Sequence, residues 1–158
     1  MKEKITYLTF RLGNEFFSAP IDQAVNVLEM MPITEVPRSP EYMKGVVNVR
    51  GDVLPIVDTR MKFGMSPIEI TRTSVIIIFK VDISGEMAEV GALVDEPGTV
   101  VELSSDELSE APAIGAKYKS ELIKGTFQHD DNFVMIVDVG KVFTLDELRD
   151  IQEVSESK

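Results

Sequence analysis

Asp58 and Asp138 are the two residues placed most like a catalytic pair. Each ends an apolar run, in Ile56-Val57-Asp58-Thr59-Arg60 and in Ile136-Val137-Asp138-Val139-Gly140. Two halves of one chain, each giving an aspartate, is the plan of enzymes whose two carboxylates share a proton. That chemistry wants a hydroxyl residue and then a glycine after each aspartate. The first copy has Thr59 but Arg60 in place of the glycine; the second has Gly140 but Val139 in place of the hydroxyl. A helix cap suits both copies better, because an aspartate at that position accepts a hydrogen bond from a backbone N–H left unpaired by the helix. A duplicated hydrolase using Asp58 and Asp138 remains the alternative from another functional class.

Other reactive groups are sparse. The chain has no cysteine and a single histidine, His129. This excludes disulfides, thiolate metal sites, a cysteine nucleophile and a histidine-centred metal cluster. His129-Asp130-Asp131-Asn132 offers oxygen ligands without the spaced acids and closing glutamate of a calcium loop, so it reads as a solvated turn. Glycine-rich phosphate loops and a nucleophile elbow are missing, and no cofactor is expected. The formal net charge of −11 leaves no basic footprint for nucleic acid. The longest apolar run, Val75 to Phe79, is far too short to cross a membrane, so direct membrane insertion is not expected. Met1 to Thr6 has no apolar core like that of a secretory signal, and with the lack of cysteine this suits a reducing cytoplasm.

The elements that would carry these residues are mostly strands, because the apolar runs are short, β-branched and bounded by turn residues. Strands are expected near 5–12, 15–19, 24–30, 44–50, 53–57, 73–82, 87–95, 98–103, 122–129 and 133–138. Turns are expected at Asn14, Gly51-Asp52, Ser84-Gly85, Pro97-Gly98 and Asp130-Asp131-Asn132. Residues 44–63 align without a gap on 124–143, with six of twenty positions identical, against about one by chance; this is a candidate internal duplication. It extends upstream, where Ala19-Pro20-Ile21-Asp22-Gln23 matches Ala92-Leu93-Val94-Asp95-Glu96 and Val27-Leu28-Glu29 matches Val100-Val101-Glu102. The offset changes between the two matches, so extra residues of the second copy fall in the polar stretch 104–121.

Each copy is too small to be very stable alone, so the two should share an interface. The expectation is an all-β chain of two small five-stranded barrels. The first spans about 14–82 and the second about 1–13 plus 83–143; a C-terminal helix and tail covers 144–158. Thr144 and Glu147 have capping-box spacing for that helix. One segment, Ile21 to Met31, carries more apolar residues than one barrel interior needs, and its paired methionines suit a surface offered to a partner helix.

At 44–63 the sequence resembles the CheW family of chemotaxis coupling proteins. The carrying residues are Gly45-Val46-Val47-Asn48-Val49-Arg50-Gly51 and Pro55-Ile56-Val57-Asp58-Thr59-Arg60, with Tyr7-Leu8-Thr9-Phe10 and Gly13, the Ile21–Glu29 strand, Val36-Pro37 and Val90-Gly91-Ala92-Leu93-Val94-Asp95. Val49 and Thr59 stand where leucines are usual, and Asn26 where many members carry an acid. The resemblance covers nearly the whole chain and implies two Src-homology-3-like barrels side by side, forming a scaffold without catalytic activity. Such a scaffold joins the cytoplasmic tip of a chemoreceptor to the regulatory domain of the histidine kinase CheA, at the edge of membrane receptor arrays. With no receiver domain after residue 158, the fused adaptor–receiver relatives are not expected; a related adaptor for pilus motility or an accessory receptor pathway is the nearer alternative. Carried over by position, the receptor groove would use Leu8, Ile21, Ala24 and Val27, with Pro97 and Val100 opposite; Asn48 and Arg50, at motif positions tied to receptor and kinase coupling, would also bind the receptor. The kinase face would include Val36, Arg38, Met43 and Val53.

Overall fold

The computed structural model describes residues 3–83, 85–109 and 120–143. All ten expected strands form: β1 (Lys4–Leu12), β2 (Glu15–Pro20), β3 (Ala24–Glu29), β4 (Met43–Val49), β5 (Asp52–Asp58), β6 (Val75–Ile83), β7 (Glu86–Val94), β8 (Glu96–Ser104), β9 (Ile123–His129) and β10 (Asn132–Val137). They make two five-stranded sheets, ordered β3-β6-β7-β5-β4 and β8-β1-β2-β10-β9. The two orders are the same fold read in different chain order. β5 pairs in parallel with β7 in one sheet, and β10 with β2 in the other. The duplication is therefore circularly permuted: the first barrel is continuous, while the second begins at β8 and is completed by β1 and β2 from the start of the chain.

This redraws the expected boundaries. β2 lies with the second barrel and β7 with the first, whereas division at residues 14 and 82 would separate each from its hairpin partner. The reason is local. Leu12 pairs with Glu15 across the Gly13-Asn14 turn, and Ile83 pairs with Glu86; a two-residue hairpin cannot be shared between barrels. A second correction concerns Pro97-Gly98, which lie inside β8; the chain bends instead at Asp95, between β7 and β8. The C-terminal helix expected from Thr144 falls outside the described residues.

Both barrels close in the same way. After β3, Thr34 exchanges two backbone hydrogen bonds with Val46 of β4, at 2.9 and 2.8 Å; after β8, Ser109 does the same with Thr126 of β9, at 2.8 and 2.9 Å. The glycine shared by the two copies precedes each of these bridges. Gly45 has φ +145°, and a Cβ there would collide with the Thr34 carbonyl oxygen; at Gly125 a Cβ would stand 3.1 Å from the Ser109 oxygen. Gly45→Ala should therefore cost about 2–4 kcal/mol through strain and lost closure, and Gly125→Ala much less. Urea unfolding of the two variants checks this, and equal losses would contradict it.

Each barrel has its own interior. Leu54, Ile56, Ile76, Ile78 and Leu93 fill the first, and Tyr7, Val101, Phe127, Val134 and Ile136 the second. Burial in the second pushes the Tyr7 phenol above its usual pKa. A third and larger cluster joins the barrels, running from Leu8, Phe10 and Phe17 to Ile77, Phe79 and Val90. The phenylalanine that ends each repeat belongs to it. Phe63 of the first copy meets Phe17 of the second barrel at 4.9 Å between ring centroids, and Phe143 of the second copy meets Phe79 of the first barrel at 5.9 Å. Each copy's phenylalanine thus packs against the other barrel within the shared cluster, so that cluster is complete only with both.

A candidate partner-binding groove between the barrels

β3 and β8 occupy equivalent edges of the two sheet orders. On β3, Ala24 pairs with Phe79, Asn26 with Ile78 and Val27 with Ile77, which leaves one extra residue at Val25. On β8, Pro97 pairs with Phe10 and Val100 with Leu8, which leaves one extra residue at Gly98-Thr99. In a regular strand, residues three apart point to opposite faces, and a one-residue bulge reverses that. The two bulges therefore bring Ala24 and Val27 to one face, and Pro97 and Val100 to one face. They fall at equivalent places in the duplication, Val27 with Val100.

Both faces look into the space between the barrels, since their partners Leu8, Phe10, Ile77 and Phe79 all belong to the shared cluster. Val27 and Val100 remain 40% and 59% exposed, and form the walls. Ile21 and Val25 are also exposed, and the Ile21 N–H donates to the Thr6 carbonyl at 2.9 Å, near the far end of β8. At the other end, a cleft of about 520 Å3 is bounded by Glu29, Met30 and Val75 from the first barrel and by Glu96 and Pro97 from the second. β3 and β8 thus run in opposite directions along the groove. Leu8 and Ala24, expected in its walls, are buried at its floor, and Ile77, with no exposed surface, lies in the shared core beneath them. Ile77 escaped the sequence reading because it sits in an unbroken apolar run, where no periodicity distinguishes one face from the other.

Asp95, the one residue between β7 and β8, links the two barrels. Its carboxylate accepts from the Gly13 N–H at 2.6 Å and pairs with Arg60 at 3.5 Å; Arg60 in turn donates to the Ser66 hydroxyl at 2.9 Å. Next to it, Arg11 Nε donates to Glu96 at 2.9 Å. The turn of one barrel and the short helix α1 (Thr59–Lys62) of the other are so tied to the same carboxylate.

Asn48 and Arg50 lie outside the groove, at the β4–β5 hairpin tip. Arg50 and Gly51 both have positive φ, 54° and 87°, the signature of a two-residue turn that follows the strand twist. The Asn48 side chain accepts from the Gly51 N–H at 3.0 Å and so holds the tip. Arg50 is exposed and forms no ion pair among the described residues. Val53 faces Asn48 across the hairpin and is more than half exposed. Arg38 is exposed. Val36 and Met43, expected on the kinase face, are buried at 6% exposure each. The segment that carries them folds back on the barrel, with Ser39 donating to the Val36 carbonyl and the Met43 N–H to Pro40. Neither side chain is presented to a partner.

The two aspartates cap helices. Asp58 accepts from the Met61 N–H at 3.3 Å and from the Ile68 N–H at 2.9 Å, and is fully buried. Asp138 accepts from the Lys141 N–H at 3.3 Å at the start of α2 (Val139–Val142). Each carboxylate serves its own helix, and burial closes Asp58 to a substrate. His129 lies 3.5 Å from Asp130 in the equivalent exposed turn of the second barrel.

The sequence matches the family model described as CheW-like domain over residues 6–155. It is 30% identical over 140 residues to the chemotaxis protein CheW of Rhizobium meliloti, covering 89% of this chain and 88% of that protein. It is 29% identical over 137 residues to a probable chemotaxis protein CheW of Rhizobium etli, covering 87% of this chain and 86% of that one. The fold is similar to the crystal structure of the scaffolding protein TtCheW from Thermoanaerobacter tengcongensis, with a TM-score of 0.79, 23% identity, and coverage of 93% of this chain and 92% of that one. A match along almost the full length and two duplicated barrels joined through one core make this chain a member of the CheW-like family.

Proposed function

We propose that this protein is a non-catalytic adaptor, joining the cytoplasmic tip of a chemoreceptor to the regulatory domain of the histidine kinase CheA at cytoplasmic receptor arrays. The observation that carries this reading is the pair of edge strands β3 and β8, whose exposed Val27 and Val100 flank the space between the barrels, an apolar surface of the kind that takes one face of a helix. Covering the exposed parts of Ile21, Val25, Val27 and Val100 would contribute about 1 kcal/mol each. Together that is about 4 kcal/mol, about half of the −8 kcal/mol of a micromolar contact, and multivalency in an array would strengthen it. The exposed tip carrying Arg50, with Val53 beside it, is a second and separate surface for coupling to the kinase.

The test is reconstitution of receptor, kinase and this protein on vesicles, with kinase activity as the readout. Adding the protein should raise kinase activity and make it respond to receptor ligand; no stimulation would remove the proposal. Arg50→Ala should fold normally, bind receptor, and lower the stimulation about tenfold, the scale of one interfacial arginine. Equal stimulation by wild type and variant would take Arg50 out of the coupling surface.

A further inference from the structure

The bulge on β8 is held by a side chain from the neighbouring strand. Thr9 is buried in β1, between Leu8 and Phe10, where the ladder to β8 shifts register. Its hydroxyl accepts from the Thr99 N–H at 2.8 Å and donates to the Thr99 carbonyl at 3.0 Å. One side chain so replaces both backbone partners that the shift removes, and buried backbone groups need such partners. Gly98 leaves room for this, since a Cβ there would collide with the Thr9 hydroxyl oxygen. The first barrel solves the same problem differently. Its residue equivalent to Thr9 is the apolar Ile78, and there the Asn26 side chain accepts from the Val27 N–H at 2.8 Å.

We infer that Thr9, through its hydroxyl, is a positioning residue for receptor binding: it fixes the β8 bulge that puts Pro97 and Val100 on the same wall of the groove. Without the bulge, strand alternation would turn one of them away. The inference rests on the groove being the receptor site, and makes the two walls depend on different side-chain devices.

Thr9→Val keeps the shape and removes the hydroxyl, while Thr9→Ser keeps the hydroxyl. The full chain is titrated with a soluble cytoplasmic fragment of a chemoreceptor and, separately, with the kinase regulatory domain. Thr9→Val, which loses both hydrogen bonds to Thr99, should bind the receptor fragment about tenfold more weakly. Thr9→Ser should stay within about twofold, kinase-domain affinity should not change, and amide exchange at Thr99 should quicken. Gly98→Ala, whose Cβ would press on the Thr9 hydroxyl and on the Thr9 backbone carbonyl from an exposed position, should give a similar receptor defect and decides the matter if Thr9→Val does not fold. Val100→Asp is the control. Wild-type receptor binding by Thr9→Val (or by Gly98→Ala where it must decide), with loss in Val100→Asp, overturns the role of Thr9 alone. Wild-type binding by Val100→Asp overturns the groove reading, and the inference with it. Equal losses for receptor and kinase domain, or failure of Thr9→Ser to restore binding, reduce Thr9 to general stability and also overturn the inference.

Discussion

Phe79→Ala is expected to destabilise the protein by about 3–5 kcal/mol, the usual cost of emptying a fully packed phenylalanine site, and to unfold both barrels in one transition. Phe79 is buried in the first barrel, yet its ring meets Phe143 of the second copy at 5.9 Å and Phe10 of β1 at 6.3 Å. Its removal opens a cavity in the cluster the barrels share. Loss of that size is a large part of the stability of a domain this small. Urea unfolding followed by residue-resolved amide signals from β6 and from β9 gives the measurement. Coincident transitions at lower urea are expected; a second barrel that melts at its wild-type midpoint would show that the cores are independent.

Val27→Asp is expected to weaken binding of a receptor cytoplasmic fragment about 30-fold or more, with the fold and kinase-domain binding intact. Val27 sits on an edge strand and is 40% exposed, so a carboxylate there stays hydrated in the free protein. In the complex it would lose about 1 kcal/mol of apolar contact and about 1–3 kcal/mol more to desolvation without a partner. The sum, about 2–4 kcal/mol, is a loss of about 30-fold to nearly three orders of magnitude in affinity. Calorimetry or pulldown with the folded variant tests it, and wild-type affinity would remove the groove from receptor recognition. Because Val27 and Val100 are equivalent across the duplication, Val100→Asp should act in the same direction from the opposite wall.

Much of the molecule is legible in its residues one after another. Strand positions, the hairpin tips to within one residue (Gly51-Asp52 expected, Arg50-Gly51 found) and the helix caps Asp58 and Asp138 all rest on short-range signals: alternation, turn chemistry and side-chain capping. The site is less legible. Val36 and Met43 are expected on the kinase face from the resemblance, but a resemblance does not report burial, and both are buried. Leu8 and Ala24 belong to the groove as floor, not wall. Thr9 carried no signal of its own, because a threonine in a strand is ordinary until the register of its neighbour is known.

The sequence alone thus determined the inventory of this protein: ten strands, a duplicated unit, two capping aspartates and an excess of apolar residues at Ile21–Met31. Tertiary structure decided how the units are completed and where the groove lies. β1 and β2 close the second barrel although they begin the chain, and the bulges at Val25 and Gly98-Thr99 reverse the alternation that a strand pattern assumes. Alternation and turn preference act over a few residues, whereas pairing β1 with β8, or Ser109 with Thr126, depends on which distant edges find unpaired backbone groups.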